Sequence, residues 1–323
     1  MRVIVLGGTR FVGRAIAETL AAEGHAVLVA HRGINEPADL RNVEHLHADR
    51  GEWPRHAAEL AAFGADAAVD VSAANGPDAL AALAALPPGI ALVALSSVDV
   101  YRAYEALRRG TATDPVPLTE KSPLRTTRHI DGSKWENLDV ERAYLKAGAT
   151  ILRLGVVYGE HDYQHRFEPV LRRVRAGRPR LPIGGGGFLW SRVYAGDVAR
   201  AVLAALETGR GTGHCLNIVE DQTAPMRLFY EQVISAAGAD LDLVRVSDAA
   251  LPPDLEITGT PSQHLLVSPA KAREVLGWHA IADPQVLRRA VAWHLGNPPR
   301  DADANFAADD NALAERSRLA GSG

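Results

Sequence analysis

The stretch IDGSK at residues 130–134 contains a lysine in a chain that has few of them. Arginine carries most of the positive charge, since only 4 of the 35 basic residues are lysines. An arginine stays charged and fork-shaped, whereas the compact ammonium of a lysine can tune a neighbouring proton donor. Lys134 is therefore a candidate for tuning a proton donor, with a lysine on a helix surface as the alternative. Ile130, one helical turn upstream, can neither donate nor accept a proton, so the partner of Lys134 must be another group.

A second group of reactive side chains is SSVDVY at 96–101, which follows an apolar run. Ser97 and Asp99 are two residues apart, so their side chains face the same side if the strand continues that far. Asp99 is therefore the leading candidate for the missing acid or base, with a loop-capping aspartate as the alternative. Tyr101 offers a substitute phenol, although an aromatic residue near a strand end is as often a packing residue.

The motif GGTRFVG at 7–13 stands between a β-branched run and a segment with helical spacing. A glycine turn in that position lets backbone N–H groups approach a pyrophosphate, and the helix N-terminus favours its negative charge. A tight turn without a ligand is the alternative, but the strand–turn–helix setting favours a dinucleotide site. The loop residues predicted to bind the cofactor are Gly7, Thr9, Arg10, Phe11, Val12 and Gly13.

The end of the second predicted strand indicates which dinucleotide is bound. An acidic residue there would bond the ribose 2′-hydroxyl of NAD. This chain has His31 and Arg32 instead. Arg32, helped by Arg10, could pair with a 2′-phosphate, so we predict NADP in preference to NAD. The alternative for Arg32 is a solvated turn residue.

Strands and helices alternate through the first half of the chain. This alternation predicts an α/β fold with a doubly wound parallel sheet, a Rossmann domain. The rhythm breaks after residue 160, where the pattern indicates a smaller C-terminal substrate-binding domain over the strand ends. Strands are predicted at 2–6, 26–31, 43–46, 67–71, 90–97 and 150–154, and helices at 11–24, about 54–63, about 78–86, after Ser133, 225–238 and 284–295.

The domain boundaries follow from that break. We expect residues 1–160 to form the dinucleotide-binding domain, to which about 190–220 return. Residues 161–190 and 221–297 are expected to form the substrate-binding domain. The segment 298–323 lacks a sustained apolar stripe, which predicts a mobile tail or, as the alternative, a short partner-binding helix at 310–319.

Composition restricts the partners. A net charge of −4 and a pI near 6.3 give no overall attraction to nucleic acid or to an anionic membrane. Cys215 is the single cysteine, which excludes an intramolecular disulfide and suits a reducing compartment. The first residues lack a signal peptide's apolar region, and no run approaches the roughly 20 apolar residues of a membrane span. We expect a cytoplasmic protein with a small-molecule substrate, no membrane or nucleic-acid partner, and scope for a homodimer.

Several motifs follow one another in a characteristic order. They are GGTRFVG, HADR at 47–50, SSVDVY, GSK at 132–134, LRLGVVYGEHD at 152–162, RVYAGDVARAV at 192–202, HCLNIV at 214–219 and SPAKAREVLGW at 268–278. Over residues 1–297 the chain thereby resembles the extended short-chain dehydrogenase/reductases, the NAD(P)-dependent epimerase/dehydratase group. The resemblance implies that Asp49 bonds the adenine, that 71–74 line the cofactor, and that Trp190, Arg192 and Tyr194 bind the substrate.

The resemblance also implies catalytic roles. Such enzymes combine a serine, a tyrosine that moves a proton while hydride moves at the nicotinamide, and a lysine four residues beyond that tyrosine. Ser97 and Lys134 match the serine and the lysine, but Ile130 stands in the tyrosine's place. By the same resemblance Ser97 orients the reacting oxygen and Lys134 holds the nicotinamide ribose. Asp99 matches a glutamate that some nucleotide-sugar dehydratases use as a base on a carbon acid.

Three functions are consistent with these observations. The first is an NADP-dependent epimerase, dehydratase or reductase that acts on a hydroxyl or keto carbon of a nucleotide sugar or specialised metabolite. The second is a non-redox isomerase, lyase or cyclase that uses Asp99, and the third is a non-enzymatic cofactor-sensing or RNA-associated protein. No metal site is predicted, because the group His161, Asp162 and His165 follows a turn-like segment and lacks a further grouped ligand.

Overall fold

A computed structural model of the chain describes residues 1–128, 135–281, 283–301 and 303–321, with side chains to Arg316 in the last range. The stretch that holds Ile130 and Lys134 lies outside the described residues. The strands are β1 (Arg2–Leu6), β2 (Ala26–His31), β3 (Glu44–His47), β4 (Ala67–Asp70), β5 (Ala91–Ser97), β6 (Thr150–Leu154), β7 (Val156–Tyr158), β8 (Arg180–Ile183), β9 (Arg192–Tyr194), β10 (Cys215–Ile218) and β11 (Asp242–Arg245).

The α-helices form in the intervals between these strands and in the C-terminal part of the chain. They are α1 (Phe11–Ala22), α2 (Ala57–Ala62), α3 (Gly76–Ala85), α4 (Arg102–Arg108), α5 (Asn137–Lys146), α6 (Glu168–Arg175), α7 (Ala195–Thr208), α8 (Met226–Ala236), α9 (Ala270–Leu276), α10 (Pro284–Gly296) and α11 (Ala307–Gly321). None of the helices in the described ranges is long and apolar enough to cross a membrane.

Within the described ranges, seven strands form one sheet in the order β10-β6-β5-β4-β1-β2-β3. Every neighbouring pair in it is parallel. The predicted doubly wound parallel sheet is therefore confirmed. Its central strands are apolar along most of their length because helices cover both faces.

Side-chain alternation along β1 assigns the two faces. Val3 and Val5 pack in the cluster that contains α1 and α7, whereas Ile4 and Leu6 pack with α3 and α5 on the other face. Successive side chains of a strand point to opposite sides, so a fully apolar strand serves two cores. This sandwich holds the carboxyl edge of the sheet, where the candidate site lies, in a fixed geometry.

A third apolar cluster lies outside the large sheet. It joins α6, α8 and α10 with two short parallel pairs, β8 with β11 and β7 with β9. The three helices, β8 and β11 belong to the segments assigned to the substrate-binding domain, whereas β7 and β9 belong to segments assigned to the dinucleotide-binding domain. The division of the chain at 160, 190 and 220 stays a prediction.

Two predicted helices differ from the observed ones. The segment predicted as one helix at 54–63 begins as a 3₁₀ helix over Arg50–His56, and only α2 is α-helical. Pro54 has no N–H to give to an α-helical ladder, which explains the tighter turn. The helix expected directly after Ser133 begins at Asn137, where the Glu136 carboxylate caps it by accepting the Leu138 N–H at 3.2 Å.

The tail, which the sequence predicted to be mobile, forms α11 and makes buried contacts. The Arg173 guanidinium donates to both carboxylate oxygens of Asp309, at 2.7 and 2.6 Å, and both side chains are fully buried. Arg178 bonds Asp310 beside them. The prediction depended on the weak apolar stripe of this segment, whereas α11 is held to the rest of the protein by the hydrogen bonds of Asp309 and Asp310.

Candidate active site

The turn between β1 and α1 can be built only from glycine at two positions. Gly7 has a φ of +93°, in the left-handed region that favours glycine. A Cβ at Gly13 would lie 2.2 Å from the carbonyl oxygen of Gly7, so no side chain fits there. The turn therefore brings bare backbone to the start of α1, as the predicted phosphate loop requires.

We expect Gly13→Ala to lower the free energy of unfolding by about 1–3 kcal/mol, because the added methyl group collides with a backbone carbonyl, which cannot give way as easily as the end of a flexible side chain. Cofactor affinity should fall as well, since relief of that collision opens the turn. Urea unfolding and a cofactor titration measure the two effects. Gly51→Ala is the matched control, because in the described part of the chain no atom beyond its immediate neighbours and local backbone lies within 4 Å of the place that its new methyl group would take. Equal effects in the two variants would contradict the prediction.

A cavity of about 650 Å³ lies at the carboxyl ends of the strands. Its volume is in the range usual for a small-molecule or cofactor site, and its position is the usual ligand site of such sheets. The lining residues come from the glycine turn, from the ends of β2, β4, β5 and β6, and from the loop after β7. They include Gly7, Thr9, Arg10, Phe11, Val12, Gly13, Arg32, Asp49, Val71, Ser97, Trp135, Asn137, Tyr163 and Arg166.

On the β2 side, the cavity wall contains the residues predicted to select the cofactor. The Arg32 side chain is 61% exposed, and its Nε lies 4.0 Å from Oδ1 of Asp49. The Arg10 guanidinium stacks 4.0 Å above the ring of Tyr163. Both arginines thus face the same cavity. Among the described residues, the one ion-pair partner of the Arg32 guanidinium is Asp49, at the long distance of 4.0 Å.

A buried charge network supports the floor of the cavity. Arg50 donates to both carboxylate oxygens of Asp70, which also accepts the backbone N–H groups of Ser72 and Ala73. Burial lowers the pKa of Arg50, but the hydrogen bond to Asp70 and the surrounding negative charges, chiefly that of Asp70, together outweigh it, so the net pKa is raised. These bonds fix the turn after β4, and the Ser72 hydroxyl donates to the Leu6 carbonyl oxygen at 3.2 Å, next to the glycine turn, so residues 71–73 line the cavity.

On the β5 side, Ser97 and Asp99 lie next to each other, and of the two only Ser97 lines the cavity in the described structure. The strand continuation that would turn both side chains to the same side is not observed. The strand ends at Ser97, and a short 3₁₀ turn over 98–100 replaces the expected strand continuation. The Ser97 Oγ accepts the Asp99 N–H at 3.2 Å. Both carboxylate oxygens of Asp99 accept from Nδ2 of Asn137, at 3.0 and 3.1 Å, and Asn137 lines the cavity.

A buried ion pair positions Asn137. Arg125 and Glu136 form a two-bond pair, with distances of 3.0 and 2.6 Å, and both side chains are buried. The Nε of Arg125 also donates to the Asp99 carbonyl oxygen. Because Glu136 caps α5, this pair connects the first turn of that helix to the turn that carries Asp99.

Tyr101 does not belong to the cavity wall. Its ring is fully buried, and its hydroxyl donates to Asn217 at 2.6 Å and accepts from Arg153 at 3.2 Å. Burial raises the pKa of this phenol to about 12. The structure therefore gives Tyr101 a packing role and corrects its assignment as a substitute proton donor.

Of the described residues that line the cavity, none belongs to the predicted substrate-binding group Trp190, Arg192 and Tyr194. Arg192 is buried with its guanidinium 3.8 Å above the Phe229 ring, and it donates to the Ala224 carbonyl oxygen. Burial lowers its pKa to about 10. The Tyr194 hydroxyl donates to Glu160, and Trp190 packs against Phe188. These contacts are internal, so a role of Arg192 in pairing with a substrate anion is not supported.

Sequence reasoning missed several residues that do line the cavity. Trp135 and Asn137 follow the stretch IDGSK in the sequence, and Tyr163, Gln164 and Arg166 come from the loop after β7. The rings of Tyr163 and Phe11, which belongs to the glycine turn, are nearly perpendicular, and their centroids lie 6.4 Å apart. The loop sequence HDYQHR was considered only for metal binding, because nothing local indicates that it folds back over α1.

The fold and this cavity together define a dinucleotide-binding α/β protein of the Rossmann class. The chain belongs to the NAD dependent epimerase/dehydratase family, whose model matches residues 3–218. This confirms the resemblance found in the motifs. The family is one of NAD(P)-dependent enzymes, so this chain is a member of an enzyme family.

Individual relatives are distant. The chain is 24% identical to the chloroplast stem-loop binding protein of 41 kDa b of Arabidopsis thaliana, over 98% of this chain and 85% of that protein. It is 28% identical to the 2'-dehydrokanamycin reductase of Streptomyces kanamyceticus, over 76% of this chain and 69% of the enzyme. The crystal structure of a dTDP-glucose 4,6-dehydratase from Bacillus anthracis in complex with NAD superimposes with a TM-score of 0.71 at 19% identity, over 92% and 97% of the two chains.

Proposed function

We propose that the chain is an NADP-dependent enzyme that acts on a hydroxyl or keto carbon of a small molecule, as an epimerase, dehydratase or reductase. One observation carries the proposal. A single cavity contains the side-chain-free glycine turn and Arg32 on its β2 side, and Ser97 and Asn137 on its β5 side. Cofactor recognition and candidate catalytic groups therefore share one space of suitable size.

The residues present fit a dinucleotide phosphate. A Cβ at Gly13 would strike the backbone, so the turn carries no side chain there. A pyrophosphate can therefore approach the backbone N–H groups at the start of α1. Asp49 is proposed to bond the adenine, Arg32 the 2′-phosphate and Lys134 the nicotinamide ribose. When bound, NADP would supply or accept a hydride at its nicotinamide ring.

The chain's own groups account for the positioning of a reacting oxygen. The Ser97 Oγ already accepts the Asp99 N–H, so its hydroxyl proton can be donated to a substrate oxygen. Asp99 is half-buried and bonds Asn137, which lines the cavity, and it is proposed as the acid or base for a substrate group that reaches it past the Asn137 amide. A carboxylate accepts at about four positions, so its bonds to Asn137 are compatible with proton transfer at the same group.

Arg32→Ala is expected to weaken NADP binding about 10- to 100-fold, the effect of losing a hydrogen bond to a charged group. NAD affinity should stay nearly unchanged, since NAD lacks the 2′-phosphate. Titration of both cofactors by quenching of protein fluorescence measures the difference. Arg55→Ala removes an arginine that is 82% exposed beside Glu52, and it serves as the control. A parallel loss of NAD and NADP affinity in Arg32→Ala would show that the residue acts on the turn rather than on the phosphate.

A second candidate is a protein that binds RNA. The observation in its favour is the stem-loop binding relative, whose alignment covers 98% of this chain at 24% identity. The overall charge of −4 gives no general attraction to a polyanion, so such binding would have to depend on a local surface.

A nicotinamide absorbance assay with a panel of nucleotide sugars and keto compounds tests the proposal. A net absorbance change during turnover supports a reductase. Turnover at constant absorbance, with bound NADP required, indicates epimerisation, isomerisation or elimination that uses Asp99. NADP binding without turnover, together with a shift of stem-loop RNA in a gel, would favour the second candidate.

A further inference from the structure

Four potential metal ligands meet beside the cofactor cavity at the outer edge of the sheet. They are His31 at the end of β2, His45 and His47 on β3, and Glu36 in the loop between these strands. One ligand atom from each of the four lies within 4.8 Å of all the others. Sequence reasoning did not find this group, because no two of its histidines have the spacing of a helical metal motif.

The sheet register explains why the histidines converge. His45 and His47 are two residues apart on one strand, so they point to the same face. His31 lies directly opposite His47 in the parallel pair of β2 and β3. The intervening Leu46 points to the opposite face and packs in the cluster with Ile4. The edge strand therefore presents two imidazoles beside the third, and the loop brings Glu36 across them.

The distances suit a small ion with nitrogen and oxygen ligands. Four ligands at zinc distances in a tetrahedron are about 3.3 Å apart. His31 Nε2 lies 2.9 Å from His45 Nδ1 and 3.6 Å from the Glu36 carboxylate. The same carboxylate oxygen lies 2.6 Å from His47 Nε2. Shifts of about an ångström or less in side-chain position, on the order of a rotamer adjustment, would equalise these separations.

We propose that His31, Glu36, His45 and His47 bind one divalent transition-metal ion, with Zn²⁺ as the best match to a set of three imidazoles and one carboxylate. The burial of the ligands fits such a site. His31 is buried and His45 nearly so, whereas the side chains of Glu36 and His47 are 39% and 54% exposed, so an ion can enter from solvent. The proposal does not depend on the identity of the cofactor.

Coordination has one local consequence. As the structure stands, the Gly33 N–H donates to Nδ1 of His31 at 3.1 Å, which places the ring proton on Nε2. Binding of an ion at Nε2 moves that proton to Nδ1, and the Gly33 N–H must then turn away. Gly33 has a φ of +73° and no side chain, and this conformational freedom eases the rotation of that peptide.

The test uses the full chain after dialysis against a chelator. Zn²⁺ is titrated in competition with a chromophoric chelator, and Co²⁺ is added in a parallel sample, since its visible absorption reports the coordination geometry. We expect one ion per chain and a tetrahedral Co²⁺ spectrum. His47→Ala and Glu36→Gln are the informative variants, because both side chains are partly exposed and their loss should leave the fold intact.

Each of these variants removes a direct ligand and should weaken Zn²⁺ binding by at least about 100-fold. Removal of a residue that only bonds a metal ligand already lowers affinity by up to about 100-fold, so the loss of the ligand itself should cost no less. His56→Ala is the matched control, since His56 pairs with Glu59 at 2.8 Å on the surface and belongs to no group of metal ligands in the described structure. The proposal is overturned if Zn²⁺ binds no more tightly to the unaltered chain than to His47→Ala. It is equally overturned if His56→Ala and His47→Ala lose the same affinity.

Discussion

Asp99→Asn is expected to lower turnover by about 100- to 10,000-fold, the contribution usual for a general acid or base. The amide is nearly isosteric with the carboxylate but cannot take up a proton at neutral pH. Cofactor affinity should stay close to that of the unaltered chain, because the Asp99 carboxylate bonds Asn137 and does not itself line the cavity. Turnover is measured with whichever compound of the substrate panel reacts, and affinity by NADP titration.

Two further variants separate catalysis from support. Asp221→Asn alters an exposed aspartate that lies 3.7 Å from Arg273, and it should leave both quantities unchanged. Asn137→Ala removes the side chain that Asp99 holds. If Asp99 only positions Asn137, Asp99→Asn and Asn137→Ala lower turnover equally, and the double variant lowers it no further than either single variant. Unchanged turnover in Asp99→Asn would remove this residue from the mechanism altogether.

Arg173→Met is expected to lower the free energy of unfolding by about 3–5 kcal/mol, the usual result when one partner of a buried ion pair is removed. Arg173 is fully buried between Asp309 of α11 and Asp254. Its loss leaves the buried Asp309 carboxylate with only Arg172 as a nearby cation in the described structure, at a nitrogen-to-oxygen distance of 3.9 Å. Urea unfolding followed by circular dichroism measures the change.

The matched control is Arg227→Met, since Arg227 and Glu231 form an exposed pair on α8 that should contribute no more than about 1 kcal/mol. The double variant Arg173→Met/Asp309→Leu should recover part of the loss, because an apolar pair of similar volume needs no compensating charge. If Arg173→Met costs as little as the control, the contact between α11 and α6 contributes little to stability.

The six strands predicted for the large sheet agree with the observed ones to within one residue at each end, whereas β10 was not predicted as a strand. Such accuracy is possible because the central strands are buried on both faces, so they are apolar along most of their length and end near polar or glycine residues. Pro54 and Glu136 mark the two places where a helix differed, and in both the local hydrogen bonding of one residue set the boundary.

The residues of the candidate site also divide into those that the sequence placed correctly and those that it misplaced. The glycine turn, Arg32 and Asp49 line the cavity as predicted, because residues at the ends of neighbouring parallel strands meet at one edge of the sheet. The role of each of them in binding stays a prediction. Tyr101 and Arg192 were misplaced, since a polar tip on a large side chain is compatible with either a pocket or the core.

The sequence by itself determined the class of fold, the family and the position of the cofactor turn, since these depend on periodicity and on residues close together in the chain. Tertiary structure alone decided which polar side chains meet across long separations. The bond between Arg173 and Asp309, the contact of Tyr163 with Phe11, and the convergence of His31 with His45 and His47 are of this kind. Such contacts depend on strand register and on how loops pack, and neither is encoded in the spacing of the residues that make them.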